Sequence, residues 1–186
     1  MSKAANQILK TAEHLFNLHS FGSVGVDLIR DHSGSSKTTM YTHFKNKQQL
    51  ISAVLQQRHE RFQSQLSAFV DTEINQPALL KILDWHFTWF QQEDFKGCMF
   101  VRIVAETELN AIEFQTIAQQ HKQWIYQFIY SKCEQMHNPT QLTEFFYTQL
   151  EGLISRFMVE GFNKKIANQQ KQLILKLINS FQDSTE

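Results

Sequence analysis

A chain of 186 residues with 42% hydrophobic and 19% charged residues has material for one sizeable domain, or for a small domain joined to a larger one. Its formal net charge is zero, so overall charge neither calls for nor excludes a polyanionic partner. It has no run long enough for a membrane span, no early apolar run with a cleavage site and only two cysteines, so a cytoplasmic protein without a disulfide framework or membrane partner is expected.

Six Gly and two Pro leave few breakers, so long helices are easily accommodated. Ile8, Leu9, Ala12, Leu15 and Phe16 recur at helical spacing and predict an amphipathic helix from Lys3 to His19. "SFGSVGV", from Ser20 to Val26, reads as a turn broken by Gly22 and Gly25. Val26 to Ser33 predicts a short second helix with Val26 and Ile29 inward, stopped by Gly34. Ser35 and Ser36 then offer an N-cap for a third short helix ending near Phe44. Helix, tight glycine-containing turn and helix together make the helix-turn-helix pattern.

Lys45 to Lys47 forms a polar link into a long fourth helix, with Leu50, Ile51, Val54, Leu55, Phe62, Leu66 and Phe69 on its apolar face. From Pro77 the pattern stays helical to the end, with interruptions near Phe95–Gly97 and at Asn138–Pro139. Of the last two helices, one is lined by Phe145, Phe146, Leu150, Leu153, Ile154 and Phe157. The other carries Ile166, Leu173, Ile174, Leu177, Ile178 and Phe181. No strand pattern, repeat or low-complexity segment interrupts this series. The fold class is all-α.

Charge is unevenly placed. Residues 1–61 hold eight bases and four acids, a net +4 that the remainder balances. The third helix, "SKTTMYTHF", crowds hydrogen-bond donors together, and no Asp or Glu occurs from Ser33 to Arg58. A helix that enters the DNA major groove needs short polar side chains at its leading end and phosphate clamps around them. Met40 and Phe44, four apart, can anchor such a helix from behind. Lys45 and Lys47 serve equally well as a solvated link or as phosphate contacts.

"FGSVGVDLIRDHSGSSKTTMYTHFKNKQQLISAV" resembles the DNA-binding domain of TetR-family transcriptional regulators. The shared positions are Phe21, Val26, Ile29, Gly34, Lys37, Thr39, Met40, Tyr41, His43, Phe44, Lys47 and Leu50. Arg30 stands where the family usually has a small Ala, and Ser35 where it often has a small aliphatic residue. The resemblance implies a helix-turn-helix head at residues 1–47 and a helical effector-binding and dimerisation domain at residues 48–186. It implies that Lys37, Thr38, Thr39 and Thr42 lie at or near base edges, with Ser36 among the DNA-binding residues at the leading end of the helix, and that Tyr41, His43 and Lys47 clamp the backbone. At Gly25 a backbone N–H can meet a phosphate. Double-stranded DNA, a small-molecule effector and a second copy of the chain, joined through the last two helices, are the implied partners. Two heads on a two-fold axis would read half-sites of a palindrome about 34 Å apart, most readily as a ligand-responsive repressor.

Other candidates carry less. Trp85, Phe100, Trp124 and Phe128 can line an apolar ligand cavity or fill a packed core. Cys133 and His137 are spaced to share a metal, but two ligands do not close a site, so neither a metal nor a cofactor is expected. Cys98 reads as a buried thiol. His86, His121 and Glu106 are titratable, yet no phosphate loop, nucleophile elbow or zinc-protease motif accompanies them, so the chain does not read as an enzyme. The alternative is a helical small-molecule-binding protein or enzyme with no role on DNA.

Overall fold

A computed structural model of the chain describes residues 2–107 and 112–183; the last residues of the expected C-terminal helical run, 184–186, lie outside it. Among the described residues there are nine α-helices and no strand, the all-α class expected. They are α1 (Lys3–Leu18), α2 (Val26–Ser33), α3 (Lys37–His43), α4 (Lys47–Val70), α5 (Asn75–Phe90), α6 (Met99–Glu106), α7 (Ile112–Cys133), α8 (Pro139–Glu160) and α9 (Lys164–Asp183). The chain divides into two compact units, Met1–Phe62 with Cys98–His121, and Gln63–Gly97 with Lys122–Glu186.

In the first unit, the Ser2 hydroxyl caps α1 by accepting from the Ala5 N–H at 3.1 Å. The α1 stripe of Ala5, Ile8, Leu9, Ala12, Leu15 and Phe16 is buried, and α1 packs on α2 and α3. Ile29, Met40, Phe44, Leu50, Val54 and Ile103 close the same core. Val26, expected inward beside Ile29, is only half-buried. Burying a side chain the size of Phe16 or Ile29 contributes about 1.5–3 kcal/mol.

Two polar devices tie this core together. Glu13 receives Arg58 Nη1 at 2.8 Å and Arg61 Nη1 at 3.0 Å, pinning α1 to α4. Burial alone would raise the Glu13 carboxyl, but hydrogen bonds and charge from Arg61 and Arg58 prevail and hold it below its ordinary value. At the other end of α1, Arg102 of α6 donates to the carbonyls of Asn17 at 2.9 Å and His19 at 2.6 Å. Glu106, one turn further along α6, accepts from the Phe21 N–H at 2.6 Å. A guanidinium at the carbonyl end of a helix satisfies orphan acceptors and complements the helix dipole.

Phe100 is packed flat on the His121 ring, with centroids 3.7 Å apart. His121 and His59 meet through their Nδ1 atoms at 3.0 Å, so one imidazole donates and the other accepts.

In the second unit, α5 packs on α8 and α9. Leu79, Ile82, Leu83, Phe87 and Phe90 of α5 meet a core that includes Phe146, Leu150, Phe157, Ile174 and Ile178. Asn138 precedes Pro139, which begins α8 where a missing N–H costs nothing. Burial pushes the His86 imidazole down to about 4, only partly offset by its bond to the Ile82 carbonyl at 2.7 Å. It is a neutral core histidine at physiological pH. Phe69, expected on the buried face of α4, is 46% exposed, as are Leu173 at 50% and Leu177 at 37% on α9.

Cys98 and Cys133 are both buried, as expected of the first. His137 is exposed while the Cys133 thiol donates to the Ile129 carbonyl, so the i,i+4 pair faces no common ion. Among the described residues no three metal-ligating side chains cluster. Likewise, none of the described helices is long and apolar enough to cross a membrane.

Candidate nucleic-acid interface

Gly34 sits at φ 65 and ψ 16, the left-handed conformation that ends α2 and turns the chain, and that suits a residue without a Cβ. Two residues later the Ser36 hydroxyl accepts from the Thr39 N–H at 3.0 Å and starts α3. Met40 and Phe44 are then 2% and 8% exposed, which fixes the rotation of α3 about its axis. The rotation leaves Lys37, Thr38, Tyr41 and Thr42 together on the exposed face, with Tyr41 at 45%. Residues at i, i+1, i+4 and i+5 form a single ridge.

The predicted contacts differ in how free they are. Thr39 shares its hydroxyl with Ser36 at 2.8 Å, and Thr42 donates to the Thr38 carbonyl at 2.9 Å. Among the described residues, no intramolecular hydrogen bond engages the Thr38 hydroxyl. His43 Nε2 meets the Ser2 hydroxyl at 3.1 Å, linking the end of α3 to the cap of α1. Lys47 donates to the Gly22 carbonyl at 3.3 Å, and burial lowers its ammonium pKa. Gly25 is the N-cap of α2, and nothing lies within 4 Å of the place a Cβ would occupy, so its backbone is open to close approach.

Sequence reading missed one component. Ser33–Arg58 is free of carboxylates, yet α2 brings Asp27 within 3.3 Å of Lys37, and Asp27 and Asp31 flank Arg30 at 2.8 Å and 2.7 Å. All are exposed pairs of the kind worth little in water. The signal was the i,i+3 spacing of Asp27 and Arg30, but its approach to Lys37 depends on the turn between the helices.

The predicted ligand residues come from both units. Phe100 belongs to the first unit, while Trp85, Trp124 and Phe128 belong to the second. Trp124 stacks on Phe128 with centroids 5.0 Å apart, and Trp85 lies against His86 at 5.1 Å.

An exposed, donor-rich helix seated behind a glycine turn, on an otherwise helical chain, defines the fold of a DNA-binding transcription regulator. Residues 8–54 match the protein family described as bacterial regulatory proteins, tetR family. The head is a TetR-family domain, and the chain has the TetR-regulator fold. A TetR-family transcriptional regulator from Streptomyces coelicolor superposes with a TM-score of 0.84 at 21% identity, covering 98% of this chain and 96% of that one. A TetR-family regulator from Cytophaga hutchinsonii gives 0.80 at 14% identity over 100% and 99%. The reduced form of NemR from E. coli gives 0.78 at 15% identity over 97% and 98%.

Proposed function

We propose that this chain is a ligand-responsive transcriptional repressor that binds a palindromic operator as a homodimer and acts in the cytoplasm without catalysing a reaction. Residues 1–47 read DNA, and residues 48–186 bind the effector and dimerise. The observation that carries this is the exposed ridge of Lys37, Thr38, Tyr41 and Thr42, backed by buried Met40 and Phe44. Lys37, Thr38, Thr39 and Thr42 act at or near base edges, with Ser36 at the leading end. Tyr41, His43, Lys47 and the Gly25 amide hold phosphates.

Dimerisation is supported by apolar side chains that α8 and α9 leave exposed: Val159 at 77%, Leu173 at 50% and Met158 at 45%. Gly152 adds to this: nothing lies within 4 Å of its missing Cβ, and it stands two turns before Val159 on the same face of α8. A glycine there costs the isolated helix about 0.5–1 kcal/mol relative to Ala and lets another helix come close.

The effector favours a conformation in which the two heads no longer match the groove spacing, which shifts the population away from DNA. Fluorescence anisotropy with the DNA flanking its own gene tests the assignment. Sequence-selective binding that weakens steeply with salt supports it. Absence of any DNA affinity at low salt would favour a helical binding protein or enzyme with no nucleic-acid role.

A further inference from the structure

We propose that Asp27 is a positioning residue for Lys37: it holds the ammonium for base edges and withholds it from phosphates, widening the margin between operator and other DNA. This rests on the reading of the chain as a DNA-binding regulator. One oxygen carries it. Asp27 Oδ1 lies 2.8 Å from Arg30 Nη1 and 3.3 Å from Lys37 Nζ, so a single acceptor joins α2 to the leading end of α3. Arg30 is fixed from its other side, with Nε at 2.8 Å and Nη2 at 2.7 Å from Asp31 Oδ1. The series Lys37, Asp27, Arg30, Asp31 alternates in sign and carries no net charge.

Place matters here more than strength. The side chains of Lys37 and Asp27 are 54% and 63% exposed, and such a pair adds little to folding stability. Charges on a recognition surface act instead on the choice of partner, because a like charge set against the wrong partner penalises that complex. Of the three acids in residues 1–47, Glu13 meets Arg58 and Arg61 of α4, and Asp31 meets Arg30. Asp27 is the acid that the turn at Gly34 brings to the ridge.

An ammonium has three N–H donors. With one engaged by Asp27, two are left for acceptors in the major groove, such as O6 and N7 of guanine. A side chain already held in place gives up little further rotamer freedom when it docks. A phosphate gains far less from the same lysine. Paired with Asp27, Lys37 is neutral as a unit, so it displaces no counterion and brings a carboxylate to a group of its own sign.

The test is fluorescence anisotropy on the full chain with two probes: a duplex that the unaltered chain selects from a random pool, and a scrambled duplex of the same length and composition. Asp27→Asn, at an exposed side chain, keeps the fold. It should bind the scrambled duplex more tightly and the selected one no better, so their affinity ratio falls about twofold to fivefold for each head. Its salt slope on the scrambled duplex should steepen by about 0.9 per head, as Lys37 takes up a phosphate. In a Lys37→Ala background, Asp27→Asn should leave the ratio where Lys37→Ala alone puts it. An unaltered ratio in Asp27→Asn, or the same change with Lys37 present or absent, would overturn the proposal. A shifted melting temperature at constant ratio would do so too, leaving Asp27 only a helix-dipole role in α2. If the unaltered chain binds neither duplex, the assignment to DNA falls and this inference with it. If it binds both and the ratio does not respond, this inference alone is lost.

Discussion

At the scale of single residues, the three threonines of α3 are not equivalent. Thr39 closes the Ser36 cap and Thr42 returns its hydroxyl to the helix, whereas Thr38 is exposed on the ridge and, among the described residues, no intramolecular hydrogen bond takes up its hydroxyl. Replacing Thr38 by Ala should therefore cost about 1–3 kcal/mol at one base pair and alter preference among operator variants, with thermal stability unchanged. Anisotropy titrations against a set of single-base operator variants read this directly; a uniform loss across all of them would move Thr38 to the phosphates. Lys47 contrasts with it. Its desolvated ammonium already serves the Gly22 carbonyl, so Lys47→Ala should weaken every sequence alike and also loosen the turn before α2. The donors themselves were legible in the sequence because residue type and helical spacing fix which face they share. The engagement of each donor was not, since it depends on rotamers and on Asp27 arriving from another helix.

At the scale of elements, caps and breakers carried most of the information. Ser36, Gly34 and Pro139 mark helix ends in the sequence and mark them in the structure. Phe69 misled because an apolar side chain at helical spacing does not say whether its own chain covers it. Least legible was the hold of α6 on α1, where Arg102 reaches the His19 carbonyl across 83 residues. Its guanidinium serves several carbonyls at once and its side chain is 20% exposed. Charged hydrogen bonds of this kind contribute about 1.5–3 kcal/mol each at most, and their loss leaves buried acceptors unpaired. Arg102→Ala should lower stability by about 2–3 kcal/mol in urea, and hydrogen exchange should speed first at the end of α1. An unaltered midpoint would make the contact incidental. The Glu13 link between α1 and α4 has a pH signature. Its folded-state carboxyl sits below the ordinary value of 4.5, so the unfolded chain binds the extra proton in that window. Stability from this group is complete above about pH 4.5 and is lost as pH falls through the depressed folded value. Glu13→Gln should flatten the acid limb of the stability curve, and an equally steep limb would assign the acid sensitivity elsewhere.

At the scale of the whole molecule, the proposed two-fold pair makes a quantitative demand. A basic head, with six bases and three acids over residues 1–47, that clamps phosphates releases counterions in proportion to the charges it neutralises. A dimer that engages both half-sites must then show a salt slope about twice that of a single head, at roughly −0.9 per phosphate on duplex DNA. Leu173 and Leu177 are exposed in the protomer, so exchanging both for Asp costs its core little while placing charge where the second copy would sit. The double variant should sediment as a monomer with its helix content intact. Its operator affinity should fall by about 10²–10⁴, the advantage that linking two heads confers. The decisive reading is the slope: halved in the variant, the two heads act as one clamp. If the variant is monomeric yet keeps both the affinity and the full slope, each head binds alone, and the face made by α8 and α9 serves some other partner.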